Sequence, residues 1–335
     1  MHCLILTDHR YHRSFDSVYL LAQQLALQPH IQVSVVSIGH SENAFRIFNY
    51  KTSSLLAVSP SGQFSFADRD NCFSSGLQEV ALSEVDFVLP RLLPFNAVIL
   101  KRFERLFRNA QFINTPEGII ETESKAFLLN VADLCPSIKL CTSLAEVKAL
   151  LDQGDIVLKP LYSYGGKENI LLTRQCCIYQ QRKMSWDAIQ PSLKQRFEAG
   201  EQWLAMDYLP DYSKGDKRVL VVAGKVIGAT LRLPAPSQWL CNVSSGGKSI
   251  RTDITRQEMD MASQLAVLLD SKGIRMFGMD TLPGPGDVRY LSEINTLCPG
   301  GFHTLYHRLQ QPQAVEMAIA MLVQFMGNGM RRVVA

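Results

Sequence analysis

The chain carries almost no excess of either charge. Over 335 residues its formal net charge at pH 7 is only +3. It also lacks a basic run and any sequence typical of an RRM, KH or helix-turn-helix module, so no nucleic-acid partner is expected. Eight cysteines are present, but no two of them form a C-x-x-C pair. Free thiols in a reducing compartment are the simplest interpretation, and we expect a cytoplasmic protein.

Long apolar runs are also absent. The segment 314–325 is apolar, but it is too short to span a bilayer and Glu316 interrupts it. It is predicted to be a buried terminal helix that begins at Pro312. The first residues lack the charged start of a signal peptide, so we expect no membrane partner. With 47% hydrophobic residues, the chain can bury a large core and is expected to form two or three lobes.

The usual signatures of covalent catalysis and of common nucleotide-binding loops are missing too. No Ser-His-Asp or Cys-His arrangement stands out, and the loop 162–167 is neither a P-loop nor G-x-G-x-x-G. His303 and His307 have i, i+4 spacing, but without the Glu of H-E-x-x-H a metal role is not favoured. His9 and His12 follow the first predicted strand near a plausible substrate cleft. Either a substrate role or an ordinary loop role remains open for them.

What the chain does contain is a set of oxygen ligands at the ends of two apolar strands. The segment 288–294 predicts a buried strand, on which Glu293 and Asn295 share one face because they lie two residues apart. Asp280 ends a second apolar strand, 274–280. Asp, Glu and Asn oxygens with no nearby Cys or His suit Mg²⁺ rather than zinc. Ordinary acids at strand ends are the alternative.

Cationic side chains occupy similar positions elsewhere. Lys159 closes the predicted strand 155–160, and Gly165 and Gly166 follow in a loop where backbone N–H groups could approach phosphate closely. A plain turn is the alternative there. The block 215–227 predicts a β-hairpin that exposes Arg218 on one face, and Arg232 falls on the next apolar strand. Such an arginine must reach solvent, an acid or a bound anion.

These blocks, in this order, resemble the ATP-grasp superfamily, and most closely the prokaryotic glutathione synthetases. The matching segments cover most of the chain. They are Asn114-Thr115-Pro116-Glu117-Gly118-Ile119 with Lys125, Ile156-Val157-Leu158-Lys159-Pro160 with Gly165-Gly166, Tyr208-Leu209-Pro210, 215–222 with Arg232, Asn242 with Gly246-Gly247, Gly278-Met279-Asp280 and Glu293-Ile294-Asn295.

The resemblance implies an α/β fold with α+β lobes, in which an open α/β substrate domain precedes an ATP-grasp fold. The expected strand–helix–strand order at the N-terminus, with a helix over 15–27, agrees with such a sheet. The implied boundaries are 1–113 for the substrate domain, 114–204 for the ATP-grasp N-lobe with its phosphate-covering loop, and 205–335 for the C-lobe with the metal-binding and catalytic residues.

The resemblance also implies a role for each matching residue. Two ions of Mg²⁺ are implied, with Mn²⁺ able to replace them. The implied metal ligands are Asp280, Glu293 and Asn295. The implied ATP-binding residues are Lys125, Lys159, Gly165, Gly166, Met206, Asp207, Tyr208, Leu209 and Asp216, and the implied catalytic residues are Arg218, Arg232 and Asn242.

The implied activity is that of an ATP-dependent ligase, which joins a carboxylate to an amine through an acyl phosphate and releases ADP and phosphate. The partners would be a small acid and an amine, either an amino acid or a short peptide. The protein would be a homo-oligomer, either a dimer or a tetramer, as is typical of the family. A phosphotransferase on the same fold and a non-catalytic ATP-binding protein are the alternatives. Phosphoryl transfer needs mainly positioning and charge neutralisation, which two lysines, two arginines and Mg²⁺ would supply.

The chain departs from the family where the acid and amine would bind. The family carries Arg-Lys-Asp-Pro-Pro-Phe-Asp where this chain has Arg91-Leu92-Leu93-Pro94-Phe95-Asn96. It carries Asn-Val-Thr-Ser-Pro-Thr-Gly where this chain has Asn295-Thr296-Leu297-Cys298-Pro299-Gly300-Gly301. We therefore expect retained ATP chemistry with an altered substrate pair. The candidate substrate contacts are Arg91, Cys298, Gly300 and Gly301.

Overall fold

A computed structural model describes residues 1–49, 52–60, 64–166, 168–236, 238–241 and 246–333. Its strands are His2–Thr7 (β1), Gln32–Ser37 (β2), Ser54–Ala57 (β3), Gln78–Ala81 (β4), Phe87–Arg91 (β5), Gln111–Phe112 (β6), Ile138–Cys141 (β7), Ile156–Pro160 (β8), Ile170–Leu172 (β9), Cys177–Tyr179 (β10), Arg182–Met184 (β11), Trp203–Asp207 (β12), Asp216–Val222 (β13), Lys225–Leu233 (β14), Lys248–Arg251 (β15), Met276–Pro283 (β16) and Arg289–Asn295 (β17). Its α-helices are Ser17–Ala26 (α1), Ser41–Asn49 (α2), Arg69–Cys72 (α3), Ala97–Leu106 (α4), Pro116–Thr122 (α5), Leu144–Gln153 (α6), Trp186–Glu198 (α7), Arg256–Asp270 (α8) and Pro312–Val333 (α9).

The first sheet is parallel and has the order β2-β1-β5-β6. The strands β1 and β5 are buried along their whole length because helices cover both faces of the sheet. The predicted open α/β sheet is therefore confirmed. The predicted helix over 15–27 is also present as α1, which buries Leu21 and Leu25 against the sheet.

The second sheet has six antiparallel strands in the order β11-β10-β9-β8-β12-β7. Strand β8 carries Lys159 near the middle of the sheet, where it is flanked by β9 and β12. The polar region 175–202, for which no clear fold was predicted, forms β10, β11 and α7. Helix α6 begins at the N-cap Ser143, whose side chain accepts a hydrogen bond from the Glu146 amide.

The third sheet is antiparallel and has the order β15-β14-β13-β16-β17. The predicted hairpin joins β13 to β14 and turns at Ala223 and Gly224, which both have positive φ as a tight hairpin turn requires. One face of the sheet, including Val219 and Met279, packs against α8. That helix starts with the predicted capping box, in which Thr255 and Glu258 each bond the other's backbone N–H.

The last helix joins the first and third sheets. Side chains of α9, such as Ile319 and Leu322, share one core with Leu21 of α1 and with Val222 of β13. Each buried leucine or isoleucine contributes about 2 kcal/mol through loss of contact with water. The two sheets are therefore fixed relative to each other. Among the described helices, none combines the length and apolar character needed to cross a membrane.

The three-part division of the chain stays a prediction. The strands of the first sheet lie within residues 2–112, those of the second within 138–207 and those of the third within 216–295. The expected boundary between residues 204 and 205 falls inside β12, which belongs wholly to the second sheet.

Candidate active site

A cleft runs between the second and third sheets and encloses about 730 Å³ of empty space. Its walls contain four of the residues implied to bind ATP, namely Met206, Asp207, Tyr208 and Leu209. Val157 of β8 and Leu282 of β16 provide apolar surface on opposite sides. A flat heterocycle with polar edges fits such a slot, since the backbone of β12 ends there.

Two lysines form the cationic end of this cleft. Lys159 is fully enclosed, and its Nζ donates to the carbonyl oxygen of Ser292 at 2.9 Å. Burial lowers the pKa of Lys159, although the carboxylate of Glu293 opposes this. Lys125 donates to the carbonyl oxygen of Ser163 at 2.7 Å and lies 3.4 Å from Glu293 Oε1. Neighbouring carboxylates do not fully balance these two positive charges, so a bound polyanion would stabilise both lysines.

The loop that is predicted to cover the phosphates begins directly after β8. Gly165 and Gly166 adopt φ values of 70° and 67°, which side chains other than glycine rarely tolerate. Gly166 lines the nucleotide cleft, and Gly165 lines a second cleft described below. The loop therefore separates the two spaces at the point where phosphates would lie.

The face of the third sheet that looks into the clefts carries charged residues in register. Arg218 of β13 lies opposite Asp280 of β16, which in turn lies opposite Glu293 of β17. Asp216, two residues before Arg218, pairs in the same way with Arg232 of β14. The alternation of side chains along strands thus collects five charged groups from four strands on one face.

A glycine makes room for this cluster. A Cβ built on Gly278 of β16 would lie 3.0 Å from Cδ of Arg218, closer than nearly all real contacts. A side chain at residue 278 would therefore force Arg218 to shift by a few tenths of an ångström.

Ion pairs connect the cluster. Nε and Nη2 of Arg218 both donate to the carboxylate of Asp280, and the Nη2–Oδ2 distance is 2.7 Å. Arg232 contacts Asp216 Oδ2 at 2.5 Å and Asp280 Oδ2 at 2.8 Å. Burial alone would raise the pKa of Asp280, but the charges of Arg218 and Arg232 outweigh it and lower this pKa to about 2. Burial raises the pKa of Asp216 to about 6, despite the opposing charge of Arg232.

The three predicted metal ligands lie together at the end of β17. Asp280 and Glu293 are cross-strand neighbours, and Asn295 follows two residues later on the same face. The buried Nδ2 of Asn295 has no hydrogen-bond partner within the described part of the chain. No three His, Cys, Asp or Glu side chains there are arranged around one point. Two carboxylates and one amide oxygen fit a hard divalent cation that completes its shell with water and phosphate oxygens.

A second, larger cleft of about 1500 Å³ opens beside the first. It brings together Arg218 and Arg232 with all four candidate substrate contacts. Those contacts are Arg91, Cys298, Gly300 and Gly301. Cys298 is half-buried, and burial raises the pKa of its thiol although Arg91 opposes this. The thiol is therefore a neutral part of the wall rather than a thiolate nucleophile.

Arg91 is an unusual charge in this wall. It is only 4% exposed, and its Nη2 donates to the carbonyl oxygen of Pro299 at 3.1 Å. Its Nε has no hydrogen-bond partner within the described residues. No described carboxylate forms an ion pair with it. A buried guanidinium with an unused donor favours a bound carboxylate.

A chain of hydrogen bonds holds the backbone of Arg91. Thr7 donates to the Arg91 carbonyl oxygen at 3.1 Å, so its oxygen must accept from His12 Nε2 at 2.6 Å. His12 Nδ1 then accepts from the Tyr19 hydroxyl at 2.8 Å. Burial lowers the pKa of His12 to about 4, which keeps the ring neutral and the directions fixed. His12 is therefore a support for the cleft, whereas His9 stacks on Phe73 and bonds Ser37.

Three sequence-based candidates have other outcomes. Asn242 lies outside the described residues. The rings of His303 and His307 are tilted against each other with centres 4.6 Å apart, and the residues that follow His303 form a π-helix, Thr304–Arg308. All eight cysteines lie in described segments, and none forms a disulfide.

Sequence reasoning missed Glu123 and Tyr164. Glu123 accepts hydrogen bonds from Thr296 and Leu297, directly after β17. Tyr164 forms part of the second cleft. Neither residue belongs to a recognisable motif. The only sequence signal is that they flank residues already selected, namely Lys125 and Gly165.

The chain is similar to proteins of a known family. Residues 124–310 match the family described as prokaryotic glutathione synthetase, ATP-grasp domain. The glutathione synthetase of Agrobacterium fabrum is 27% identical over 278 residues, which are 79% of this chain and 83% of that protein. The glutathione synthetase of Mesorhizobium japonicum is 30% identical over 225 residues, which are 66% of this chain and 67% of that protein.

Solved structures share the fold. A D-cycloserine synthetase has a TM-score of 0.63 at 14% identity, over 95% of this chain and 99% of that chain. The D-alanine-D-alanine ligase from Coxiella burnetii has a TM-score of 0.62 at 13% identity, over 99% of this chain and 97% of that chain. The predicted ATP-grasp fold is thereby confirmed.

Proposed function

Starting from the fact that this chain belongs to the prokaryotic glutathione synthetase family, we propose that it joins a small carboxylic acid to an amine through an acyl phosphate. Family membership makes it an ATP-dependent ligase that forms C–N bonds. One observation carries the proposal. The nucleotide cleft and the second cleft share Glu293, and Arg218 and Arg232 line the second cleft beside it.

The first step needs two anions to approach each other. Lys125 and Lys159 would bind the phosphates of ATP, while Arg91 would hold a carboxylate in the second cleft. An oxygen of the substrate carboxylate attacks the γ-phosphorus, the bond to the ADP oxygen breaks, and an acyl phosphate forms. Arg218 and Arg232 would neutralise the charge that develops on the transferred group.

A divalent cation bound by Asp280, Glu293 and Asn295 would neutralise phosphate charge when present. The family uses ATP with a divalent metal, and we propose two Mg²⁺ ions here, with Mn²⁺ able to replace them. Asp280 would exchange part of its ion pairing with Arg218 and Arg232 for the metal. The arginines released in this way would then face the phosphoryl group.

In the second step the amine nitrogen attacks the carbonyl carbon of the acyl phosphate. The C–O bond to phosphate breaks, the nitrogen loses a proton, and an amide and inorganic phosphate are released. The enclosing loop around Gly165 and Gly166 would exclude water, which otherwise hydrolyses the acyl phosphate.

The substrate pair is proposed to differ from that of glutathione formation. Leu92 and Leu93 replace charged residues of the family, and Leu93 lines the second cleft beside Arg91. Cys298 replaces a serine in the same wall. Apolar and thiol surface lowers the number of polar contacts available to the acid, so we propose an acid less polar than γ-glutamylcysteine, joined to an amino acid or short peptide.

We also propose a cytoplasmic homo-oligomer, a dimer or tetramer. The absence of disulfides among eight cysteines supports a reducing compartment. Phe45 and Val98, which are 69% and 60% exposed on α2 and α4, offer apolar surface for contact between subunits.

A substrate panel tests the function. Purified protein with Mg²⁺-ATP would be offered carboxylic acids, including γ-glutamylcysteine, crossed with amines, including glycine, and products would be identified by mass. ADP release that requires both partners, with a product of their combined mass minus water, is expected. ADP release without an amine and with a stable phosphorylated acid would contradict the ligase, and efficient use of γ-glutamylcysteine with glycine would contradict the altered pair.

A further inference from the structure

The segment 123–125 contacts the chain on both sides of Asn295, at the end of β17. Lys125 Nζ lies 3.4 Å from Glu293 Oε1. Two residues earlier, Glu123 Oε2 accepts hydrogen bonds from the Thr296 amide at 3.2 Å, the Thr296 hydroxyl at 3.0 Å and the Leu297 amide at 2.9 Å. The segment 123–125 therefore holds the chain immediately before and after Asn295.

Glu123 is a buried carboxylate with no described cation within ion-pair distance. Its residue is 8% exposed, and burial raises its pKa although the hydrogen bonds from Leu297 and Thr296 oppose this. All three hydrogen bonds described for it end on a single oxygen, Oε2. A carboxylate has about four acceptor positions, so Oε1 is left to receive a further donor.

The phosphate-covering loop supplies that donor. The hydroxyl of Tyr164 is buried and makes no hydrogen bond within the described part of the chain. Burial raises the pKa of Tyr164, and the nearby Glu123 carboxylate adds to this effect. A buried hydroxyl without a partner is costly, and the free oxygen of Glu123 is the group that can satisfy it.

The same loop is already tied to this segment, because Lys125 Nζ donates to the Ser163 carbonyl oxygen at 2.7 Å. We propose that Tyr164 and Glu123 are a positioning pair, in which the Tyr164 hydroxyl donates to Glu123 and so couples the phosphate-covering loop to the turn that orients Asn295. The pair acts through Thr296 and Leu297. Tyr164 lines the second cleft, but its hydroxyl is buried and is assigned to Glu123 rather than to ATP or the acid. The inference rests on the proposed ligase function, in which this loop covers the phosphates.

The consequence is a link between loop position and metal-ligand geometry. When the loop lies over the phosphates, Tyr164 orients the Glu123 carboxylate, and its other oxygen fixes the Thr296 and Leu297 amides. Without the hydroxyl, ATP still binds through Lys125 and Lys159, but Asn295 is held less well. Supporting residues around metal ligands typically change activity by about 10- to 100-fold when removed.

The test compares Tyr164→Phe with Tyr179→Phe. The control also removes a tyrosine–glutamate hydrogen bond, since the Tyr179 hydroxyl donates to Glu168 at 2.6 Å. Tyr179 lies in β10 and lines neither cleft, whereas Glu168 lies at the other end of the loop that carries Tyr164. Hydrogen exchange of the protein without ligands is read at the Thr296 and Leu297 amides. We expect roughly tenfold faster exchange in Tyr164→Phe and no change in Tyr179→Phe. Equal exchange in the two variants would overturn the inference, whether or not ligase activity has been found.

The kinetic arm separates positioning from folding. Tyr164→Phe is expected to lower kcat by about 10- to 100-fold with the KM for ATP changed by less than about twofold. Glu123→Gln keeps an oxygen for Thr296 and Leu297, unlike Glu123→Ala, and Glu121→Gln is its exposed control on α5. Because the two residues act as one unit, the double variant Tyr164→Phe/Glu123→Gln should lose less kcat than the product of the fold-losses in the two single variants. The pairing would be overturned if the fold-losses in kcat of the single variants multiply in the double variant. It would also be overturned if Tyr164→Phe has the same kcat as Tyr179→Phe.

Discussion

Arg218 and Asp280 face each other across β13 and β16 and form a two-point ion pair on the surface of the third sheet. Arg232 bonds the same carboxylate from the other side, 2.8 Å from Oδ2. A residue implied as a metal ligand therefore also organises the two arginines implied in phosphoryl transfer. These ion pairs hold both arginine side chains in a defined geometry before any substrate binds.

The first prediction concerns the stability of this cluster. Asp280→Asn would leave Arg218 and Arg232 buried with half of their negative partners, so the free energy of unfolding should fall by about 3 kcal/mol. Asp260→Asn, at an exposed pair on α8, should change it by less than about 0.5 kcal/mol. Urea unfolding of both variants measures the difference. Equal stabilities would show that Asp280 does not hold the arginines.

The second prediction concerns nucleotide affinity. Lys159→Met removes a buried charge whose only described hydrogen bond is to the Ser292 carbonyl oxygen. The Kd for ATP, measured by calorimetry without acid or amine, should rise about 10- to 100-fold. Lys139→Met on the exposed side of β7 is the control and should leave the Kd unchanged. An unaltered Kd in Lys159→Met would place the phosphates elsewhere.

The third prediction concerns the acid. Arg91→Lys keeps the charge but loses the planar donors, so the KM for the carboxylic acid should rise about tenfold or more while the KM for ATP stays the same. Arg256→Lys, at a fully exposed position, is the matched control. If the KM for ATP rises instead, Arg91 faces the nucleotide rather than the acid.

The fourth prediction follows from the neutral His12. Its pKa is about 4 in the folded protein and about 6.5 when unfolded, so the unfolded chain binds its proton first as the pH falls. The stabilisation by neutral His12 is complete above pH 6.5 and is lost between about pH 6.5 and pH 4, with an upper limit of about 3 kcal/mol.

Unfolding free energies at several pH values test this assignment. Their decline from pH 6.5 to pH 4 should be smaller in His12→Gln than in the unsubstituted protein. His30→Asn, at an exposed histidine, should keep the original decline. Identical slopes in all three proteins would mean that His12 is not the group that resists protonation.

Local patterns in the sequence predicted much of the site. The period of two on β17 correctly placed Glu293 and Asn295 on one face, and the hairpin between β13 and β14 turns at Gly224 as predicted. Such features depend only on neighbours along the chain. The pairing of Asp280 with Arg218 needed the order of strands in the sheet, which no local pattern contains.

Longer-range features could not be predicted for the same reason. Glu123 and Thr296 are 173 positions apart, and Glu123 has no motif of its own. The packing of α9 between the first and third sheets depends on tertiary contacts that an apolar helix alone does not specify. The metal and substrate roles of individual residues remain predictions, as does the division into three parts.

Transfer of oxygen from the acid to phosphate tests the acyl phosphate most directly. The acid substrate found in the panel would be labelled with ¹⁸O in its carboxylate and converted with unlabelled ATP and amine in unlabelled water. Mass spectrometry of the released phosphate should then show one ¹⁸O atom per phosphate, because the attacking oxygen stays on phosphorus when the amine displaces it. Amide formation with unlabelled phosphate would contradict an acyl phosphate and, with it, the central role assigned to Arg218 and Arg232.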